Sequence, residues 1–306
     1  MKNFADRLLE AIEKMENPSC IGLDPRIEDI PDFITKENEK KYNKTKEAVA
    51  RSFFDFNKMI IDATFDIVPV YKPQIAFYEK YGSEGVKAFE DTVNYLKKKN
   101  KIVIEDAKRS DIGPTAEAYA QGHLNPEGFD VDAITVNPYL GIDGVKPFID
   151  EAIKYGKGIF VLVKTSNPSS GDFQDRVLEN GKKLYEVVGE MVQKWGVGTE
   201  GERGYQIVGA VVGATYPEQA KVLRKIMPKS IILVPGYGAQ GGGAGEAIPN
   251  FNEDGRGAIV NSARGIIFAY KADPYKNKFK SEEFHLAARE AALEMKKDLM
   301  EAFKNR

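Results

Sequence analysis

Short apolar runs rich in β-branched residues recur along the chain and alternate with longer amphipathic segments. The runs fall at 18–24 (PSCIGLD), 67–73 (IVPVYKP), 101–106 (KIVIED), 131–137 (VDAITVN), 158–165 (GIFVLVKT), 206–213 (QIVGAVVG), 230–236 (SIILVPG) and 257–262 (GAIVNS). Near-continuous apolar runs are the mark of parallel strands buried on both faces. Between them, Val49, Phe53, Phe56 and Ile60 fall on one helical face, as do Ala288, Ala292, Met295 and Leu299. Strand followed by helix, eight times over, predicts an α/β fold in which a parallel sheet closes on itself as a (β/α)8 (TIM) barrel. A doubly wound open sheet is the structural alternative.

The 306 residues exceed the usual domain size, yet barrels of this kind commonly reach ~250 residues as one domain. No linker rich in Pro, Gly or Ser divides the chain, so 1–306 is expected to form a single domain. It opens with an N-terminal helix (MKNFADRLLEAIEKM). Polar stretches near 26–45, 168–178, 196–204 and 240–256 read as insertions in connections, the first of them a solvated helical face (ENEKKYNKTKE).

Composition narrows the function classes. Lys and Arg number 44 against 46 Asp and Glu, a net charge of −2, so no strong field favours nucleic acid or a membrane surface. The single cysteine, Cys20, excludes an internal disulfide and fits a reducing compartment; it reads as a small core residue. The N-terminal segment lacks the pattern of a signal peptide, and no apolar stretch reaches the ~20 residues of a membrane span. A cytoplasmic location is expected.

Polar residues stand repeatedly at the C-terminal ends of the apolar runs: Asp24, Lys72, Asp106 with Lys108, Asn137, Thr165 with Ser166, Pro235-Gly236 and Arg264. In a barrel these ends converge on one mouth, where active sites are built. Alternation along a strand puts Ile102, Ile104, Asp106 and Lys108 on one face, and Val68, Val70 and Lys72 on one face of the preceding strand. A row of Lys and Asp allows several charges to be partly buried, because each has an opposite neighbour. Within DAKRSDIGPT, Asp111 lies past the strand, before a helix opened by Gly113-Pro114. The spacing alone also fits a salt-bridge network under a loop.

A second cluster, VPGYGAQGGG at 234–243 followed by NSARG at 261–265, comes after the last two strands. Barrels often hold a phosphate there on backbone N–H groups. Glycine admits the backbone close to the anion, Arg264 offers a fork matched to phosphate oxygens, and Gln240 an amide donor. The two histidines, His123 and His285, lie far from any other soft ligand, so no metal site is expected.

The runs IGLDPR, YKPQIAFYEKYG, DAKRSDIGPT, KTSNPSSGDFQ, PGYGAQGG and NSARG, in this order and spacing over residues 18 to 270, resemble orotidine 5′-phosphate decarboxylase in its longer bacterial form (the type 2 subfamily). The resemblance implies a cofactor-free carbon–carbon lyase that converts orotidine 5′-phosphate to uridine 5′-phosphate, the last step of de novo UMP biosynthesis. It implies Lys108 as proton donor to C6 of the pyrimidine and Asp106 beside the departing carboxylate. Lys72 would bind Asp106 and the ribose, and Asp24 the ribose hydroxyls. Ser166 would contact the pyrimidine amide, while Gln240, Arg264 and the backbone near Ala263 would hold the phosphate. It further implies a homodimer with shared active sites, in which Asp111 and Thr115 enter the partner's site. The KTSNPSSG loop is longer than its counterpart in compact members of the family. Two other readings are a metal-dependent sugar-phosphate decarboxylase or aldolase sharing D-x-K-x-x-D, and a non-catalytic sensor of a phosphorylated ligand. The metal-dependent relatives carry an acidic ligand where this chain has Lys72, whose ammonium repels a cation.

Overall fold

The computed structural model describes residues 2–238 and 242–305. Among them, eight parallel strands close into a barrel in sequence order. These are β1 (Ser19–Leu23), β2 (Val70–Pro73), β3 (Ile102–Arg109), β4 (Ala133–Val136), β5 (Gly158–Lys164), β6 (Gln206–Val212), β7 (Ser230–Val234) and β8 (Ala258–Ser262). Closure comes from β1 lying along β8, with Ser19 opposite Val260 and Ile21 opposite Ser262. β1, β2, β4, β6, β7 and β8 are buried along their whole length, as continuous apolar runs require when helices cover one face and the barrel interior the other. The closed barrel replaces the open-sheet alternative.

The helices pack through the faces that the periodicity marked. Phe53, Phe56 and Ile60 of the helix Lys46–Thr64 are buried, and Phe56 stacks between Phe268 and Phe284 at 5.5 and 4.9 Å. Each such ring pair adds about 0.5–1.5 kcal/mol beyond area burial. Through Phe284 the last helix, Phe284–Lys304, is fastened to the barrel, with Ala288, Ala292, Met295 and Leu299 inward. Among the described residues no helix is long and apolar enough to cross a membrane.

The N-terminal helix, Phe4–Met15, caps the barrel at the end opposite the mouth. The Asn3 side chain accepts from the N–H of Ala5 at 2.8 Å and starts it. Phe4, Ala5, Leu8 and Leu9 are buried, and the Phe4 ring meets Phe160 edge-on at 6.0 Å. Asp6 accepts from the backbone of Glu202 and Arg203 at 2.8 and 2.9 Å, so the 196–204 insertion belongs to this far end. The 26–45 insertion forms a helix, Asp32–Tyr42, that buries Ile34 and Asn38 and leaves its charged face in water. The 168–178 insertion includes a 3-10 turn, Pro168–Asp172; from Gly242 onward the last insertion forms the short helix Ala244–Ala247.

Candidate active site

A cavity of about 620 Å³ opens at the C-terminal ends of the strands, within the size range of small-molecule sites. Asp24, Lys72, Asp106, Lys108, Ser166, Ala263 and Arg264 all line it. The sequence-derived residues of β1, β2, β3, β5 and β8 are thus gathered in one place.

At its floor Lys72 Nζ donates to Asp106 Oδ2 at 2.9 Å, and Lys108 donates to the other oxygen, Oδ1. The side chains of Lys72 and Asp106 are only 5% and 14% exposed, whereas Lys108 is 46% exposed and reaches into the cavity. Desolvating an unpaired ion costs several kcal/mol; two cations sharing one carboxylate offset that cost. Burial pushes the Asp106 carboxyl up, but the neighbouring Lys72 and Lys108 ammoniums outweigh it and hold it well below the usual carboxylate range. Burial likewise depresses Lys72, and the charges of Asp106 and Asp24 more than reverse this, raising it above an ordinary lysine. Asp24 is held above the ordinary aspartate value, chiefly by burial. Its Oδ1 is buried with no hydrogen-bond partner, an acceptor left for a ligand.

The geometry of β3 differs from simple alternation. Glu105 pairs with Ile134 and Arg109 with Val136, so Asp106, Ala107 and Lys108 together face Thr135 alone. Within this bulge Lys108 adopts φ +48°, the left-handed region that side chains rarely occupy. Asp106 and Lys108 do meet, as read from the sequence, but through a bulge and not through a flat pleat.

Glycine is required where β1 passes β8. A Cβ on Gly22 would stand 2.5 Å from that of Ala263, so only glycine lets the 261–265 turn approach Asp24. On the other rim, Gly236 and Gly238 have φ +100° and +75° in the turn after β7. Tyr237 ties that turn to the last helix by donating to Asp298 at 2.6 Å. Arg264 is exposed at the rim and forms no ion pair with a described residue.

Gln240 lies outside the described residues. Asp111 and Thr115 are not among the residues lining the cavity; they stand before and within the first turn of the helix Gly113–Leu124, with Thr115 exposed.

Sequence reasoning missed two residues near the mouth. Thr135 of β4 is buried and lines the cavity. Lys164, which ends β5, is fully buried: its Nζ donates to Asp175 Oδ2 at 2.8 Å and Ser170 Oγ at 3.2 Å, 4.4 Å from the Tyr216 ring centre. With Gln174 bonded to the backbone and hydroxyl of Thr165, it fastens the 165–175 segment over the mouth. A lysine inside the run GIFVLVKT was the available signal. The histidines take structural places. His123 is buried at its helix end against Glu105, while His285 is half-buried. Among the described residues no group of three or more His, Cys, Asp or Glu could hold a metal ion. Cys20 is buried, its thiol pushed up to about 12 by desolvation, as suits a core residue.

Comparison with known proteins agrees with this geometry. The model of the orotidine 5′-phosphate decarboxylase / HUMPS family matches residues 18–276. A relative named orotidine 5′-phosphate decarboxylase in Caldicellulosiruptor bescii is 44% identical over 279 residues, covering 89% of this chain and 91% of its own. One of the same name in Clostridium novyi is 43% identical over 294 residues, covering 96% and 97%. The structure of Leishmania donovani OMP decarboxylase superposes with a TM-score of 0.74 at 30% identity, covering 97% of this chain and 99% of that one. With a closed barrel, a carboxylate bracketed by two lysines at its mouth, and a family match over most of its length, the chain belongs to the orotidine 5′-phosphate decarboxylase / HUMPS family.

Proposed function

We propose that this protein decarboxylates orotidine 5′-phosphate to uridine 5′-phosphate, with Lys108 as the proton donor. The observation that carries the reading is the Lys72–Asp106–Lys108 chain, in which the buried Lys72–Asp106 pair at the base of the cavity holds a Lys108 that reaches into it. Breaking the C6–carboxylate bond releases CO2 and leaves the electron pair on C6, where the ring offers no adjacent electron sink. An ammonium fixed beside that carbon stabilises the developing charge and then supplies the proton. Asp106 holds the Lys108 ammonium in place, and stands where the carboxylate departs. Lys72 secures Asp106 from behind and, with Asp24, takes the ribose hydroxyls; the unpartnered Oδ1 of Asp24 supports that role. Ser166, on the segment fastened by Lys164, faces the pyrimidine amide. Arg264 and the backbone at Ala263, with Gln240, hold the phosphate. Remote binding energy of this kind drives loop closure and water exclusion.

The direct test is loss of orotate ultraviolet absorbance when the purified chain meets orotidine 5′-phosphate. Turnover should proceed at an unchanged rate in excess EDTA. A rate abolished by EDTA and restored by a divalent cation would favour the metal-dependent barrel enzymes instead; binding without turnover would make the chain a sensor.

The working unit in this reading is a homodimer with shared sites. Ile112, Tyr139, Leu140 and Ile142 are exposed apolar residues near the starts of the helices Gly113–Leu124 and Ile142–Tyr155, with Tyr139 81% exposed, a degree of apolar exposure that suits an interface. Mixing inactive Lys108→Ala and Asp111→Ala proteins should restore roughly a quarter of wild-type turnover, because half the reassorted dimers carry one site with both native residues. No recovery after verified subunit exchange would remove Asp111 from the partner's site.

A further inference from the structure

We infer that Thr135 is a positioning residue for the reaction: its hydroxyl closes the β3 bulge and thereby aims the Lys108 ammonium. The inference rests on the reading of Lys108 as proton donor. Three residues of β3 stand opposite this one residue of β4, so the parallel ladder cannot supply carbonyl acceptors for the bulge N–H groups. Thr135 Oγ1 accepts from the N–H of Ala107 at 3.0 Å and from that of Lys108 at 2.9 Å. Its own hydrogen is directed at Asp106 Oδ1, 3.2 Å away, the oxygen that also receives Lys108. One hydroxyl has then used its donor and both lone pairs. It touches the backbone of the lysine and the side chain of the aspartate simultaneously.

This accounts for a conformation that would otherwise relax. A non-glycine residue persists at φ +48° only where its surroundings over-determine it. Here the surroundings are specific: the ladder resumes beyond the bulge, where Asn137 N–H donates to the Arg109 carbonyl at 2.9 Å, and Thr135 grips the middle. Thr135 is 1% exposed in a run that is otherwise apolar at Ile134 and Val136. A hydroxyl buried there is unfavourable unless fully bonded. Valine would fill the same space and remove the only side-chain acceptor these two N–H groups have among the described residues. The bulge would then reorganise, carrying the Lys108 Cα with it.

The test compares Thr135→Val and Thr135→Ser with wild type in steady-state turnover and in binding of uridine 5′-phosphate. Thr135→Val should lower kcat by ~10²-fold, the loss that follows from misplacing a catalytic group by about 1 Å. KM and product affinity should stay within about 3-fold, since Lys72, Asp24 and the phosphate rim are untouched. Thr135→Ser, which keeps the hydroxyl, should recover most of kcat. Wild-type kcat in Thr135→Val overturns the inference, as does an equal deficit in the serine variant, which would point to packing of the γ-methyl. If the valine variant does not fold, Thr135→Ala supplies the same comparison, with retained product binding as the sign of an intact site. Turnover surviving in Lys108→Ala would instead defeat the proton-donor reading, whatever the Thr135 variants do.

Discussion

Lys108→Ala should cut kcat by ~10⁴-fold or more while uridine 5′-phosphate binds within a few-fold of wild type. General acid catalysis is commonly worth 10²–10⁴ and a preorganised charge aimed at the transition state about 10²–10³. Both reside in one ammonium here, so a single deletion removes them together and the two factors cannot be apportioned. Charge pairing makes the experiment clean. When Lys108 is lost, Asp106 keeps its 2.9 Å bond from the buried Lys72, so no orphaned carboxylate is created at the barrel mouth. Lys108 itself is 46% exposed and contributes little apolar packing. The folded site should therefore survive and still take the product, which carries no carboxylate and needs no proton. Product affinity falling in parallel with turnover would assign Lys108 to ground-state binding and remove it as the acid.

That Lys108 could be singled out before any coordinates reflects which information a barrel sequence exposes. The strands were legible because burial on both faces demands uninterrupted apolar residues, and a charge at the end of such a run has few structural uses. Asp24, Lys72, Asp106 and Arg264 stood out for that reason, and all line the cavity. The bulge at 106–108 was not legible, because register is a property of two strands and a single strand's periodicity carries none of it. Thr135 was hidden for the converse reason: a β-branched residue in AITV satisfies every expectation of a buried strand, and only its three hydrogen bonds reveal another use. Lys164 was passed over although a fully buried cation must have partners. Those partners, Ser170, Asp175 and Tyr216, come from two different loops that no local pattern joins.

Arg264→Ala should raise KM for orotidine 5′-phosphate by between ~30- and 1,000-fold, the range for truncating one member of a hydrogen-bonded charge pair worth about 2–4 kcal/mol. Its setting argues for an external counterion. The guanidinium stands at the rim, next to the turn that Gly22 permits and across from Gly236 and Tyr237, without an ion pair to a described residue. In the proposed complex it neutralises a phosphate far from C6, so its binding energy reaches the chemistry only indirectly. If that energy also closes loops over the substrate, kcat falls along with the rise in KM. The comparison that isolates the effect uses orotidine, the substrate without its phosphate. Wild type and Arg264→Ala should turn over orotidine with equal kcat/KM, because the missing guanidinium then has nothing to meet. A variant as impaired toward the nucleoside as toward the nucleotide would place Arg264 in the barrel's structure and leave the phosphate to other groups. Unchanged kinetics toward the nucleotide would remove Arg264 from the site altogether.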